Sequence, residues 1–289
     1  MKKLECLGVP EFEDFNEVIN VALKGKKELK RCYLPVGEIV TIVGYRTLET
    51  PALFTTKEDQ SIDILNFLGK DRVVLTGLKQ RAVIRRVHSD LLRGIIGEAY
   101  KCVVPDNLCG ACSNCFLFGS LNPDTGIAVK SRVNITTSYS IQDSDSAISD
   151  EEEFHIMVHS DLSMEATEEK RKASIYVNET IKPETVFPFV VYIYNPTQFD
   201  IVAYIKAHLI ADKRGYGNYS AIRGQSNSEF VAITKDLSIS PSTMIEKKKE
   251  DIIKMLDDKK TIFGDEEIKV LAKSFETLAK KYKDKLYRI

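Results

Sequence analysis

Hydrophobic and polar positions along the chain follow two different periods. Ile39-Val40-Thr41-Ile42-Val43 is a short β-branched run bounded upstream by Pro35 and Gly37, and it predicts a first core strand over 38–45. A charged, polar connection through Thr55-Thr56-Lys57-Glu58-Asp59-Gln60 leads to a helix predicted over 78–93. There Val83, Val87 and Leu91 recur every four residues, with Ile84 beside them. Between Ala128 and Ile141 the positions Val133, Ile135, Thr137 and Tyr139 alternate, the pattern of a strand with one buried face. Val186 to Tyr194 is a third strand, closed by the turn pair Asn195-Pro196. A helix follows over 199–211, lined on one side by Ile201, Ile205 and Leu209, and Glu229 to Thr234 returns as a fourth strand. From about Asp265 the residues Ile268, Leu271, Phe275, Leu278 and Tyr282 fall at alternating spacings of three and four, an amphipathic helix.

Strand, helix, strand, strand, helix, strand is the order of a split βαβ arrangement, so the expected class is α+β with a ferredoxin-like or RNA-recognition-motif core. That core is discontinuous, over 30–98, 122–141 and 185–240. Insertions occupy 99–121 and 142–184, and a helical segment spans 241–289. The second insertion opens on Asp143 to Glu153, with six acidic residues and no basic one, which reads as a solvated loop or tip.

Composition adds three constraints. With 43% hydrophobic and 29% charged residues the chain can bury a core. A net charge of -1 means that any polyanion must be met by a local basic stripe. The start, Met1-Lys2-Lys3-Leu4-Glu5-Cys6, has no signal-peptide pattern, and no apolar run reaches membrane-spanning length, so a cytoplasmic protein with no membrane partner is expected.

Four of the six cysteines lie at Cys102, Cys109, Cys112 and Cys115. Soft ligands this close, in a compartment that keeps thiols reduced, predict a structural zinc site, with His88 as an alternative to Cys102 for the fourth position. The bland reading is a set of free buried cysteines. A four-thiolate site leaves no position open for water, and the zinc-deaminase pattern is missing: His88-Ser89-Asp90 lacks its Glu, and Leu108 stands where Pro should precede Cys109. No third ligand type is near His155 and His159.

The predicted first helix carries Lys79, Arg81, Arg85, Arg86 and Arg93 against one acid, Asp90. Lys79, Arg86 and Arg93, seven apart, nearly stack on one face, which suits a row of phosphates as well as it suits a solvated surface. Arg214-Gly215-Tyr216-Gly217-Asn218-Tyr219 offers free backbone amides, a cation and two rings for a sugar-phosphate turn and a stacked base. An ordinary helix-ending turn is the competing reading.

Three of these features, in this order, resemble the repeat-associated mysterious protein (RAMP) superfamily of CRISPR systems, most closely the backbone subunit of the type I-D interference complex. They are Leu75-Thr-Gly-Leu-Lys-Gln-Arg81, Cys112-x-x-Cys115-Phe-Leu-Phe-Gly119, and Arg214-Gly-Tyr-Gly217, within a likeness covering about residues 30 to 235. The resemblance implies an RNA-recognition-like palm, a zinc-bearing insertion, and a β-rich thumb over 142–184. It also implies several copies lined along a guide RNA with other complex subunits, and a target DNA or RNA strand paired in short segments. Lys79, Arg81, Arg85 and Arg86 would then hold guide phosphates without reading sequence. Some members of the superfamily cut the target with a loop Asp, for which Asp59 or Asp63 stands on the corresponding connection. One carboxylate alone holds a hydrated divalent ion weakly, so the expected protein is a non-catalytic guide-binding subunit. A metal-dependent ruler nuclease and a zinc-stabilised scaffold that contacts only protein are the competing functions.

Overall fold

The computed structural model describes residues 1–11, 38–56, 61–122, 127–149, 153–158, 173–217 and 223–287. In chain order the first half contains α1 (Lys2–Cys6), β1 (Ile39–Leu48), β2 (Ile64–Phe67), β3 (Lys70–Leu75), α2 (Gly77–Ile96), α3 (Ser113–Phe118), β4 (Ser120–Asn122), β5 (Ile127–Val129), β6 (Val133–Ile135) and β7 (Ser138–Tyr139). The insertion that follows holds α4 (Ser144–Ala147), β8 (Glu153–Val158) and β9 (Ala173–Asn178). Then come β10 (Val186–Tyr194), α5 (Gln198–Arg214), β11 (Ser226–Thr234), α6 (Pro241–Glu246), α7 (Lys249–Met255), β12 (Thr261–Phe263), α8 (Asp265–Lys273), α9 (Phe275–Lys281) and α10 (Lys283–Leu286). The class is mixed α and β, as expected.

Five strands form the main sheet in the order β12-β11-β1-β10-β6, every neighbouring pair antiparallel. Both faces are covered. Val40, Ile42 and Leu48 of β1, with Phe187, Phe189, Val191 and Ile193 of β10, pack into the core that holds Ile84 and Leu92 of α2 and Ile201, Val202 and Ile205 of α5. On the opposite face Val43, Val190 and Val231 meet Ile239, Met244, Ile252 and Leu256, carried by and around α6 and α7. Residues 241–289 therefore do more than the helical segment expected of them: two of their helices close a sheet face, and β12 pairs with the edge of β11. The single tail helix expected from Asp265 is divided at Ser274 into α8 and α9.

The strand expected over 128–141 is three short ones. β5 pairs with β4, β6 with β10, and β7 with β3 in a separate three-stranded sheet, β2-β3-β7. The start of α2 packs against the segment between β6 and β7. Gly77 lies so close to this segment that an added Cβ would fall 2.0 Å from the Ile135 carbonyl oxygen, and Gln80 Nε2 donates to the Thr136 carbonyl at 3.1 Å. Gly77→Ala is expected to destabilise the fold by about 3 kcal/mol through this overlap, read as a lower denaturation midpoint at unchanged slope.

The hairpin β2–β3 arises where the sequence reads as a connection. Leu68 and Gly69, at φ 55° and 74°, make a two-residue turn with both central residues left-handed, the geometry that matches strand twist. The second insertion contains the antiparallel hairpin β8–β9, anchored where Ile181 bridges both Ala52 and Ile148. Part of its acidic opening is helical, with Asp143 capping α4 through Ser146 N. No described helix is long and apolar enough to cross a membrane.

Candidate metal centre and nucleic-acid interface

Cys102, Cys109, Cys112 and Cys115 bring their Sγ atoms within 4.8 Å of one another. Cys102 and Cys115 are 3.6 Å apart, and Cys109 and Cys115 are 3.9 Å apart. A tetrahedral ion with thiolate bonds near 2.3 Å sets its ligands about 3.8 Å from each other. The backbone is already turned toward such an ion: Cys109 N donates to Cys102 Sγ and Ala111 N to Cys109 Sγ, at 3.5 and 3.4 Å. Four thiols packed this closely shift one another's hold on a proton. Hydrogen bonds from Cys109 first, then Cys112 and Cys115, drive the Cys102 thiol far down, whereas burial pushes Cys112 up. A cation that accepts thiolate removes this conflict, so the four residues can hold a metal ion. His88 stands outside the cluster. Its buried ring accepts from Asn114 Nδ2 at 3.2 Å and lies against Phe118, which corrects its candidacy for the fourth ligand position. Of the other histidines, His155 is on β8 and His159 lies outside the described residues.

The cations of α2 have duties the charge pattern did not disclose. Helix α3 ends in carbonyls without intrahelical partners, and arginines fill them. Arg81 donates to the Phe118 carbonyl, Arg85 to the Gly119 carbonyl at 2.6 Å and to Asn114 Oδ1 at 3.1 Å. Arg132 donates to the Phe116 carbonyl at 3.1 Å while both its terminal nitrogens hold Asp200 Oδ2 at 3.1 Å, fixing the cysteine lobe to the start of α5. The ammonium of Lys79 donates to the Thr55 carbonyl. Asp90 holds both Arg93, at 3.2 Å, and Arg214, at 2.7 Å. Arg86 is exposed and, among the described residues, has no hydrogen-bond or ion-pair partner. The expected row of Lys79, Arg86 and Arg93 is thus one open guanidinium between two engaged cations, because nearby carbonyls and Asp90 take up the others. Beside Arg86 runs a groove of about 360 Å³ lined by Leu78, Arg81, Ala82, Arg85, Arg86, Val104 and Pro105. It has three guanidinium groups and no carboxylate, and Leu78 at its edge is 78% exposed.

The glycine loop is corrected more strongly. Tyr216 is 0% exposed, its hydroxyl donates to Asp212 Oδ1 at 3.1 Å, and its ring stacks on the Arg46 guanidinium 4.3 Å away, so it cannot receive a base. Gly215, at φ 82°, ends α5, and a Cβ on Gly217 would fall 2.3 Å from the Leu53 carbonyl oxygen. These glycines permit a helix end and a close backbone approach. Asp59 lies outside the described residues. Asp63 is 7% exposed, and its Oδ1 accepts from Thr56 N and Oγ1 at 2.9 and 2.6 Å.

Pattern reading missed Arg46 and Gln80. Arg46 projects from β1 into the core and donates to Asp212 Oδ1, Gln80 Oε1 and His208 Nε2, each at 3.0 Å, and to the Tyr216 hydroxyl at 3.2 Å. The available signal was an arginine just after a β-branched run together with His208 and Asp212 one turn apart on a helix.

No curated protein matches the chain in sequence. Among solved structures, the crystal structure of Thermofilum pendens Csc2 is 20% identical at a TM-score of 0.50, covering 86% of this chain and 80% of that one. A type III-B Cmr-beta complex bound to cognate target RNA follows at 14% identity and TM-score 0.44, covering 75% and 64%. A CRISPR RNA-guided surveillance complex in a pre-nicking state is 13% identical at TM-score 0.42, covering 70% and 80%. The first shares the fold at low identity. The family described as Csc2 Crispr matches residues 26–287, taking in the basic helix, the four cysteines and the glycine loop together. The chain belongs to the Csc2 Crispr family.

Proposed function

We propose that the chain is a non-catalytic, repeated backbone subunit of a type I-D interference complex in the cytoplasm, and that it holds guide RNA by its phosphates. The observation that carries this reading is the acid-free groove beside Arg86: three guanidinium groups and an exposed Leu78 line one concave strip on a protein of net charge -1. Phosphate contact of this kind positions a strand without reading its bases. The order β11-β1-β10-β6, with α2 and α5 as crossovers, supports a ferredoxin-like, RNA-recognition-type core. Since α6 and α7 cover the sheet face such domains commonly use for bases, the reading places the RNA in the helix-side groove. Hairpin β8–β9 is the candidate thumb, separating short paired segments of a target strand between successive copies. Zinc suits four thiolates at tetrahedral spacing and would tie the cysteine lobe to α2 without doing chemistry. Asp63 Oδ1 is given to Thr56, so the competing nuclease reading would fall on Asp63 Oδ2, which has no hydrogen-bond partner among the described residues.

Arg86→Ala is expected to weaken binding of single-stranded RNA about tenfold for all sequences alike and to reduce the magnitude of the log–log salt slope by about 0.7. Fluorescence anisotropy across a salt series measures both. Unchanged affinity and slope would remove the groove as the RNA track.

A further inference from the structure

Tyr287, just after α10, returns to the thiolate cluster from the opposite end of the sequence. It forms a β-bridge with Cys112, its hydroxyl accepts from Lys101 N at 2.9 Å, and its ring centre lies 5.1 Å from that of Tyr100. The Tyr100 hydroxyl stands 3.5 Å from Cys112 Sγ and 3.2 Å from Ser89 Oγ on α2. Arg93, also on α2, donates to the Cys102 carbonyl at 3.3 Å. Cys102, Cys112 and Cys115 are buried beneath this cover, and only Cys109 of the four is partly exposed. Immediately before Tyr287, Leu286 is fully buried, and Phe275 of α9 packs on Phe199 of α5 with ring centres 5.9 Å apart. Whatever holds α9 and α10 against the body therefore also holds Tyr287 over Cys112.

We infer that Tyr287 and the helices before it form a latch on the metal centre, so that ion occupancy and docking of residues 275–287 are linked. The inference rests on the four cysteines holding a metal ion. A chelator must reach the ion or a thiolate to remove it; Tyr287, bridged to Cys112, covers one side of the cluster, and Cys109 is the partly exposed thiol. Linkage works in both directions: an ion that organises Lys101 and Cys112 gives Tyr287 its hydrogen-bond donor and its backbone partner, and a docked Tyr287 slows loss of the ion. Tyr287 is a positioning residue here, acting through Tyr100, Lys101 and Cys112.

The test uses the full chain loaded with cobalt(II), whose thiolate charge-transfer absorption reports the occupied cluster. Excess EDTA should strip cobalt from Tyr287→Ala about tenfold faster than from wild type, in the range seen for loss of groups supporting a metal's ligands, with Tyr287→Phe falling between. Amide hydrogen exchange in the wild-type chain should quicken over residues 275–287 when the metal is removed. That second measurement decides the matter if Tyr287→Ala does not fold. Equal release from all three chains, or exchange over 275–287 indifferent to metal, would overturn the latch while leaving the metal site intact. Absence of the charge-transfer band in wild type would overturn the metal reading and the latch with it.

Discussion

Arg46→Met is expected to cost about 3–5 kcal/mol of folding stability, the penalty for leaving one partner of a buried ion pair without the other. The side chain is 0% exposed, and four acceptors from three other parts of the chain converge on it: Gln80 from α2, His208 and Asp212 from α5, and Tyr216 from the loop beyond. Burial would raise the Asp212 carboxyl, but the positive charge of Arg46, with hydrogen bonds from Ser228 and Arg46, holds it below the usual carboxylate range. His208 is neutral at ordinary pH, so Arg46 supplies that charge alone. Methionine replaces much of the volume and none of the charge, and Asp212 Oδ2 already lacks a hydrogen-bond partner among the described residues. Against a total stability of about 5–15 kcal/mol for a typical domain, such a loss shifts the guanidinium unfolding midpoint sharply. Arg46→Met combined with Asp212→Leu should recover much of it, since the uncompensated charge is then gone. A double variant as unstable as the single one would mean that packing, not charge, sets the cost. Gln80 links this network to function: it sits on α2 between Lys79 and Arg81, so the core charge also fixes the helix that presents Arg86.

What the sequence disclosed was whatever periodicity reports. Strand β10 fell on the expected residues 186–194, β1 and α5 were found with slightly different ends, and the four cysteines were recognisable by spacing alone. Helix α2 was found, but its buried stripe runs through Gln80, Ile84, Val87, His88 and Leu92, with Val83 and Leu91 only partly buried. Two polar side chains occupy core positions, and a hydrophobic pattern cannot register a buried glutamine satisfied by Arg46 and the Thr136 carbonyl. The same blindness affected the site. A run of arginines looks alike whether its partners are phosphates or the carbonyls at the end of α3, and those carbonyls are 37 and 34 residues away in sequence. The pairing of β7 with β3 was hidden because β3 belongs to a hairpin whose turn begins with Leu68, a residue seldom found at positive φ.

Stability should fall steeply with acid between about pH 6 and 4, by up to about 1.4 kcal/mol per pH unit for each buried histidine that stays neutral in the fold. There are two. Burial pushes His208 down to about 3, with Asp212 opposing and Arg46 reinforcing the shift, and burial pushes His88 down to about 4. Geometry supplies the reason for His208: Arg46 can only donate, so His208 Nε2 is an acceptor, and a proton placed there would face a guanidinium 3.0 Å away. Both folded-state values lie below the ordinary histidine value of 6.5, so the unfolded chain binds protons that the native one refuses. The histidine penalty is absent above about pH 6.5 and grows as pH falls toward those lower values. Proton-linked release of a thiolate-bound metal would act in the same direction, and His208→Gln separates the two. Glutamine keeps an acceptor for Arg46 and does not titrate, so the variant should lose about one proton from the pH slope of unfolding free energy while its cysteine cluster is untouched. Urea unfolding at pH 7, 6 and 5 gives that slope directly. An identical slope in wild type and His208→Gln would assign the acid sensitivity elsewhere, to the thiolates or to His88.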